Sequence, residues 1–81
     1  MTSREIAAET AHKHGLTLAD LTGPCRKPFL CMVRREAMYQ VRTETDLSWR
    51  AIARIFNRTK QSVMYHVRNH GKLLEQMKGI G

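Results

Sequence analysis

A basic segment, IARIFNRTKQSVMYHV at residues 52–67, contains the side chains of this chain that are best suited to chemistry. Its Arg and Lys side chains can bind phosphate oxygens, and Lys60 and Gln61 can also hydrogen-bond the edges of bases. The segment holds no acidic residue. It therefore indicates binding of a polyanion rather than catalysis. An ordinary helical hairpin with solvated charges is the alternative interpretation.

The positive charge of the chain is concentrated in one region. The 81 residues carry a net charge of +7. Residues 26–70 contain ten of the 14 Arg and Lys residues and three of the seven Asp and Glu residues, so this region accounts for the whole excess. A local basic patch attracts a polyanion, and the predominance of Arg favours nucleic acid because Arg matches phosphate and base edges. A solubilising charged surface is the alternative.

Enzymatic and metal-binding chemistry has little support in the sequence. No paired carboxylates, nucleophile–base pair or Gly-rich phosphate loop can be assembled, so we expect no catalytic residue, no cofactor and no small-molecule substrate. His66 and His70 have a spacing that suits zinc, but 34 residues separate Cys31 from His66, which is too long for a zinc finger. We expect no metal site, and we expect Cys25 and Cys31 to be reduced thiols.

The elements that must position the basic segment are helices. The sequence shows no sustained alternation of apolar and polar residues and no hairpin turn, the patterns that indicate strands. Apolar residues recur instead at helical spacing. We predict an all-α fold, a small helical bundle of about five helices containing a helix-turn-helix. The helices are expected near residues 3–14, 17–22, 28–45, 49–56 and 60–69, and the residues after Gly71 either continue the last helix or form a separate one. The long helix is expected to place Phe29, Leu30, Val33, Ala37, Met38 and Val41 in the core.

The two short helices around residue 57 have the features of a helix-turn-helix. Ser48 is a suitable N-cap for the first helix, and Ala53 is a small residue where the second helix must cross it. Asn57 tolerates the left-handed conformation that the turn requires. Thr59 is a suitable cap for the second helix, which would lie in a major groove of DNA.

This register assigns contacts to two groups of side chains. The predicted base-reading residues are Thr59, Lys60, Gln61, Met64 and Tyr65. The predicted contacts to the DNA backbone are Arg26, Lys27, Arg34, Arg35, Ser48, Arg50, Arg54, Arg58, Ser62 and Arg68. Trp49 either packs over the small core or stacks on DNA.

The sequence resembles the C-terminal DNA-binding domain of the bacterial replication initiator DnaA, a member of the Trp-repressor-like helix-turn-helix group. Three stretches carry the resemblance: LTLADL, RREAMYQVRTETDLSWRAIARIF and RTKQSV. It extends from about Ile6 to about Leu74. The resemblance implies a DNA-binding helix-turn-helix, and it matches Arg34 to a family Arg that contacts DNA.

The chain departs from the pattern of that family at three places. The family usually has Asp-His-Thr-Thr where this chain has Thr59-Lys60-Gln61-Ser62, so a different DNA site is expected. Asn57 stands in place of a Gly pair. Pro28 stands in place of the Arg that the family sends into the minor groove, and Arg26 and Lys27 are close enough to substitute for it. No ATPase phosphate loop occurs in the chain.

These observations predict one domain over residues 1–81, with residues 72–81 as an optional C-terminal tail. The expected partner is double-stranded DNA, a homodimer is left open, and a membrane is not expected. The expected location is the cytoplasm, on the nucleoid, and the expected role is sequence-selective control of transcription or replication. A nonspecific nucleic-acid-binding architectural protein and an adaptor that docks an acidic protein are the alternatives.

Overall fold

A computed structural model describes residues 2–24 and 27–80, with side chains described up to residue 76. This part of the chain contains five α-helices and no strand, which confirms the predicted all-α fold. None of its helices is both long enough and apolar enough to cross a membrane. The helices are α1 (Ser3–Lys13), α2 (Leu18–Thr22), α3 (Pro28–Glu44), α4 (Trp49–Phe56) and α5 (Lys60–Ile80).

The first two helices begin and end within one residue of their predicted bounds. The side chain of Thr2 accepts a hydrogen bond from the backbone N–H of Glu5 at the start of α1. Thr17 and Asp20 form a reciprocal capping box at the start of α2, with both backbone N–H groups bonded to a side chain. Gly15, between the two helices, has a φ of +76°, a conformation that L side chains rarely adopt. Local sequence therefore fixes this corner.

A single hydrophobic core lies between α3 and the other helices. The buried apolar residues recur every three or four positions along the helices, so each helix turns one face to this core. The buried apolar side chains are Ile6, Ala7, Ala11, Leu21, Val33, Ala37, Met38, Val41, Ile52, Ala53, Phe56, Val63 and Val67.

The prediction that Phe29 belongs to the core was wrong. Its side chain is 50% exposed, although it has the right spacing from Val33. Phe29 lies in the first turn of α3, where the ring meets the edge of the His14 ring with centroids 6.1 Å apart. Periodicity identifies one face of a helix, but it does not show where along the helix the neighbouring helices stop covering that face.

Charged side chains join the end of α1 to the middle of α3. His14 Nε2 lies 2.6 Å from Glu36 Oε2, and Lys13 Nζ lies 3.6 Å from Glu36 Oε1. Both basic residues come from the last turn of α1 or just beyond it, where positive charge also suits the helix dipole. This contact fixes α1 against the helix that carries the rest of the fold.

The last helix continues past Gly71, one of the two arrangements that the sequence left open. The expected helix near residues 60–69 and the residues after Gly71 form one helix, α5, which runs without interruption from Lys60 to Ile80. Gly71 does not end it, since this residue lies within α5 and beside the Tyr39 ring of α3. Residues 72–80 therefore continue α5. Leu73 is half-exposed, while the side chains of Met77 and Ile80 lie outside the described residues.

Candidate nucleic-acid interface

A three-residue turn joins α4 to α5. Asn57 has φ 54° and ψ 48°, the left-handed conformation expected from the sequence, and its backbone N–H bonds the carbonyl groups of Ala53 and Arg54. The backbone N–H of Arg58 also bonds the carbonyl of Ala53, at 2.9 Å. Asn accepts this conformation because its short polar side chain costs little there. The turn therefore ends α4 and redirects the chain into α5 within three residues.

Side-chain caps begin both helices of the motif. Ser48 Oγ accepts from the backbone N–H of Ala51 at 3.2 Å, and Thr59 Oγ1 accepts from that of Ser62, also at 3.2 Å. Each hydroxyl satisfies a backbone donor that the helix itself leaves unpaired. Both hydroxyl groups keep a hydrogen to donate, since they act as acceptors in these caps.

Close packing sets the angle between α4 and α5. Ala53 is 5% exposed, and its small side chain leaves room for α5 to cross α4. Phe56 and Val63 are fully buried in the same core. Val67 is buried as well, so it anchors α5 to the core one turn beyond Val63. The two helices are thus held as one rigid unit with α3.

The predicted base-reading residues share the outer surface at the start of α5. Thr59, Lys60 and Gln61 are exposed, and Tyr65 is 66% exposed. Met64 is half-buried. Exposed polar groups at the N-terminal end of the second helix are the groups that contact base edges in helix-turn-helix proteins.

Exposed basic side chains flank this surface. Arg50 and Arg54 are exposed on α4, and Arg68 is exposed farther along α5. A shallow cleft lined by Ser48, Trp49, Arg50 and Lys60 brings the start of α4 next to the start of α5. This cleft therefore brings the positive charges of Arg50, from α4, and Lys60, from α5, to one surface.

This geometry can be compared with known protein families. Residues 3–69 match the model of the family described as bacterial dnaA protein helix-turn-helix. The chain belongs to this family. The match confirms the resemblance found in the sequence, and membership of the dnaA helix-turn-helix family supports binding of double-stranded DNA. The structure agrees, since it is an all-α domain with the helix-turn-helix at residues 49–80.

Two predicted contacts of this dnaA-family domain lie near the loop before α3. Lys27 is exposed at the N-cap position of α3. Arg26 and Cys25 lie outside the described residues, so the structure gives no position for them. Cys31 carries a free thiol. Within the described residues, no group of three or more His, Cys, Asp and Glu side chains could hold a metal ion.

Arg34 has a structural role that the sequence did not reveal. It is only 5% exposed, and its Nε donates to the carbonyl of Leu21 at 2.6 Å, while Nη2 donates to the carbonyl of Gly23 at 3.4 Å. A buried guanidinium requires such acceptors. The prediction treated Arg34 as a surface contact to DNA. The guanidinium also braces α2 against α3 and lines an open cleft, and its contact with DNA stays a prediction.

Arg58 connects the turn to the same loop. Its Nη2 donates to the carbonyl of Gly23 at 2.7 Å, and its Nη1 donates to the carbonyls of Phe56 and Asn57. The guanidinium thus caps the end of α4 and reaches the chain that leaves α2. It remains half-buried, beside Ser62.

Trp49 packs against the core, the first of its two predicted roles. The ring is half-buried, and Arg42 Cζ lies 4.1 Å from the ring centroid, a cation–π contact. Arg42 Nη1 also donates to the carbonyl of Leu47 at 2.7 Å. Arg42 is not among the predicted contacts to DNA, and its role becomes visible only because the fold brings it close to Trp49. Arg42 holds the loop that leads into α4.

His66 lies in a positively charged environment. It is half-buried on α5, in an open cleft of about 520 Å³ that is lined by Pro24, Cys31, Arg34, Arg58, Ser62 and His66. Burial lowers the pKa of His66 below its ordinary value of 6.5, and the charges of Arg35, Arg34 and Arg58 lower it further. The imidazole is therefore mainly neutral at neutral pH.

Proposed function

We propose that this member of the dnaA helix-turn-helix family is a sequence-selective binder of double-stranded DNA. It would regulate transcription or replication by occupying a site, and it would do so on the nucleoid. In this proposal the first turns of α5 enter the major groove. The base-reading side chains would be Thr59, Lys60, Gln61, Met64 and Tyr65.

The observation that carries the proposal is the exposure of Lys60 and Gln61 in the first turn of α5. Gln can bond adenine at two points, and Lys can bond the acceptors of guanine. In the described structure neither side chain makes a hydrogen bond within the protein. Both are therefore suited to binding a partner. Tyr65, one turn further on, is also exposed and extends the same face.

Contacts to the DNA backbone would fix the register of α5 in the groove. Arg50 and Arg54 on α4 and Arg68 on α5 are exposed and could reach the DNA backbone. Such contacts supply affinity and orientation, whereas base contacts supply specificity. The complete proposed set is Arg26, Lys27, Arg34, Arg35, Ser48, Arg50, Arg54, Arg58, Ser62 and Arg68.

The target would differ from the one that the family usually binds. The sequence Thr59-Lys60-Gln61-Ser62 replaces the Asp-His-Thr-Thr run to which the resemblance aligns it. Base recognition depends on which donors and acceptors reach each edge, so these substitutions change the preferred bases.

Selection from a random duplex library, with the purified protein at physiological salt, tests the proposal. We expect a compact enriched motif, and a palindromic motif would show that two copies bind together. Tight binding without enrichment would contradict sequence selectivity and favour an architectural role. Absence of binding to any duplex would contradict the proposal and leave the basic surface as a docking site for an acidic protein.

A further inference from the structure

An open cleft beside the turn collects groups that can bind an anion. Arg34, from α3, and Arg58, from the turn, both donate to the carbonyl of Gly23, which holds their guanidinium groups side by side. Ser62 and His66 complete the cleft from one face of α5, since they are four residues apart. Three separate parts of the fold therefore contribute donors to one place.

The cleft is next to the surface that would face DNA. Ser62 follows Gln61 directly in α5, and Arg58 directly precedes the helix cap Thr59. A DNA strand that passes the first turn of α5 would bring a phosphate within reach of these side chains. Arg and a hydroxyl are both common ligands of DNA phosphates.

His66 is the member of this cleft whose charge can change near neutral pH. The charged groups around it are Arg34 and Arg35 of α3 and Arg58 of the turn. Among the described residues that line the cleft, Cys31 has the one other titratable side chain. Within α5, the Tyr65 ring meets the His66 ring edge to face, with centroids 5.6 Å apart. Without a ligand, the three Arg side chains oppose protonation of the imidazole.

A bound phosphate would reverse this electrostatic balance. Its negative charge would offset the Arg charges and would favour the imidazolium, which donates from both ring nitrogens. We propose that the cleft formed by Arg34, Arg58, Ser62 and His66 binds one phosphate of the DNA backbone and that His66 takes up a proton when it does so. This inference rests on the proposed function, because it assigns the phosphate to DNA.

A histidine titration followed by NMR tests this assignment on the unaltered protein. The imidazole signals of His66 and His70 are followed with pH, first for the free protein and then with a saturating duplex of about 20 base pairs at low salt, where nonspecific binding is strong. We expect the duplex to raise the midpoint of His66 by about one unit or more. His70 is the matched control, because it is half-buried on the same helix but contacts Tyr39 outside the cleft.

Affinity measurements provide the second test. Because one proton is taken up, a midpoint shift of about one unit makes the duplex bind more tightly at about pH 5.5 than at about pH 8, by up to about tenfold. His66→Gln should remove this pH dependence, and His70→Gln should retain it.

The outcomes separate this inference from the function on which it rests. A duplex that binds without moving the His66 midpoint, or an equal pH dependence in His66→Gln and the unaltered protein, would overturn the proton-coupled phosphate site and leave DNA binding intact. Failure of the protein to bind any duplex would overturn both.

Discussion

Arg58 and Gly23 are 35 positions apart in sequence, yet Nη2 of Arg58 lies 2.7 Å from the carbonyl oxygen of Gly23. This bond joins the turn of the helix-turn-helix to the segment that leaves α2. The position of the turn is thereby tied to the end of α2, where Gly23 is the C-cap.

The hydrogen bonds donated by Arg58 should stabilise the fold by more than its positive charge alone would. Arg58→Lys keeps the charge but cannot reach Gly23, Phe56 and Asn57 together, so we expect a loss of about 1–2 kcal/mol in the free energy of unfolding. Urea denaturation measures this loss. Arg54→Lys is the control, because Arg54 is exposed, and it should change stability by less than about 0.5 kcal/mol. Equal losses in the two variants would contradict the bracing role of Arg58.

Substitutions on the two helices of the motif should separate specificity from affinity. Lys60→Ala and Gln61→Ala should each reduce discrimination between the preferred site and single-base variants, by about 1–3 kcal/mol per lost base contact. Arg54→Ala should weaken binding to all duplexes alike. Equilibrium binding to the enriched duplex and to a mismatched set measures both effects. A uniform loss in all three variants would mean that the assigned register of α5 is incorrect.

Two glycines should respond to alanine in opposite directions. Gly71 lies within α5, and an added Cβ would meet Tyr39 Cε2 at 3.7 Å, an ordinary van der Waals contact. Gly71→Ala should therefore raise the free energy of unfolding by about 0.5–1 kcal/mol through helix propensity. Gly15→Ala should lower it by about 1 kcal/mol, because Gly15 has a φ of +76°. Thermal unfolding of the two variants shows the signs, and a gain in both would rule out the left-handed conformation of Gly15.

Stability should fall as the pH decreases through the range in which histidine titrates. Burial lowers the pKa of both His66 and His70 below 6.5. Nearby Arg charges lower the pKa of His66 further, whereas at His70 the charge of Glu36 opposes the shift and that of Arg35 adds to it. The unfolded chain then binds more protons than the folded one, so their stabilising contribution is fully present above about pH 6.5 and is lost below it.

Urea midpoints at about pH 7.5 and about pH 5.5 measure this dependence, since most carboxylates remain ionised in that interval. The variant carrying both His66→Gln and His70→Gln should show a smaller decrease than the unaltered protein. An unchanged decrease in the double variant would assign the pH dependence to other groups.

Local sequence was enough to predict most of the elements and the turn. Thr17 with Asp20, Ser48 and Asn57 act through hydrogen bonds or backbone conformations within a few residues of themselves, so residue type and spacing determine them. Burial of Ile52 and Val63 follows in the same way from helical periodicity. The exposure of Lys60, Gln61 and Tyr65 follows from these positions, because these residues lie opposite the buried side of α5.

The features that sequence did not predict depend on contacts between distant segments. Arg34 is a charged residue of a type that usually lies on the surface. Its side chain is buried because the carbonyl groups of Leu21 and Gly23 accept hydrogen bonds from it. Phe29 lies on the same face of α3 as the buried Val33, but it is exposed because the neighbouring helices do not cover the first turn of α3. Periodicity carries no information about either arrangement, since both depend on how the helices are placed relative to one another.

The stacking of Arg42 on Trp49 has a practical consequence. Trp49 is the only tryptophan of the chain, and its half-buried ring lines the same shallow cleft as Lys60, where α4 and α5 begin. An indole beneath a guanidinium emits light with an intensity and wavelength that respond to any change in that contact. The domain thus carries an intrinsic fluorophore at the entrance to its helix-turn-helix, and its emission can follow both unfolding and the arrival of a ligand without a chemical label.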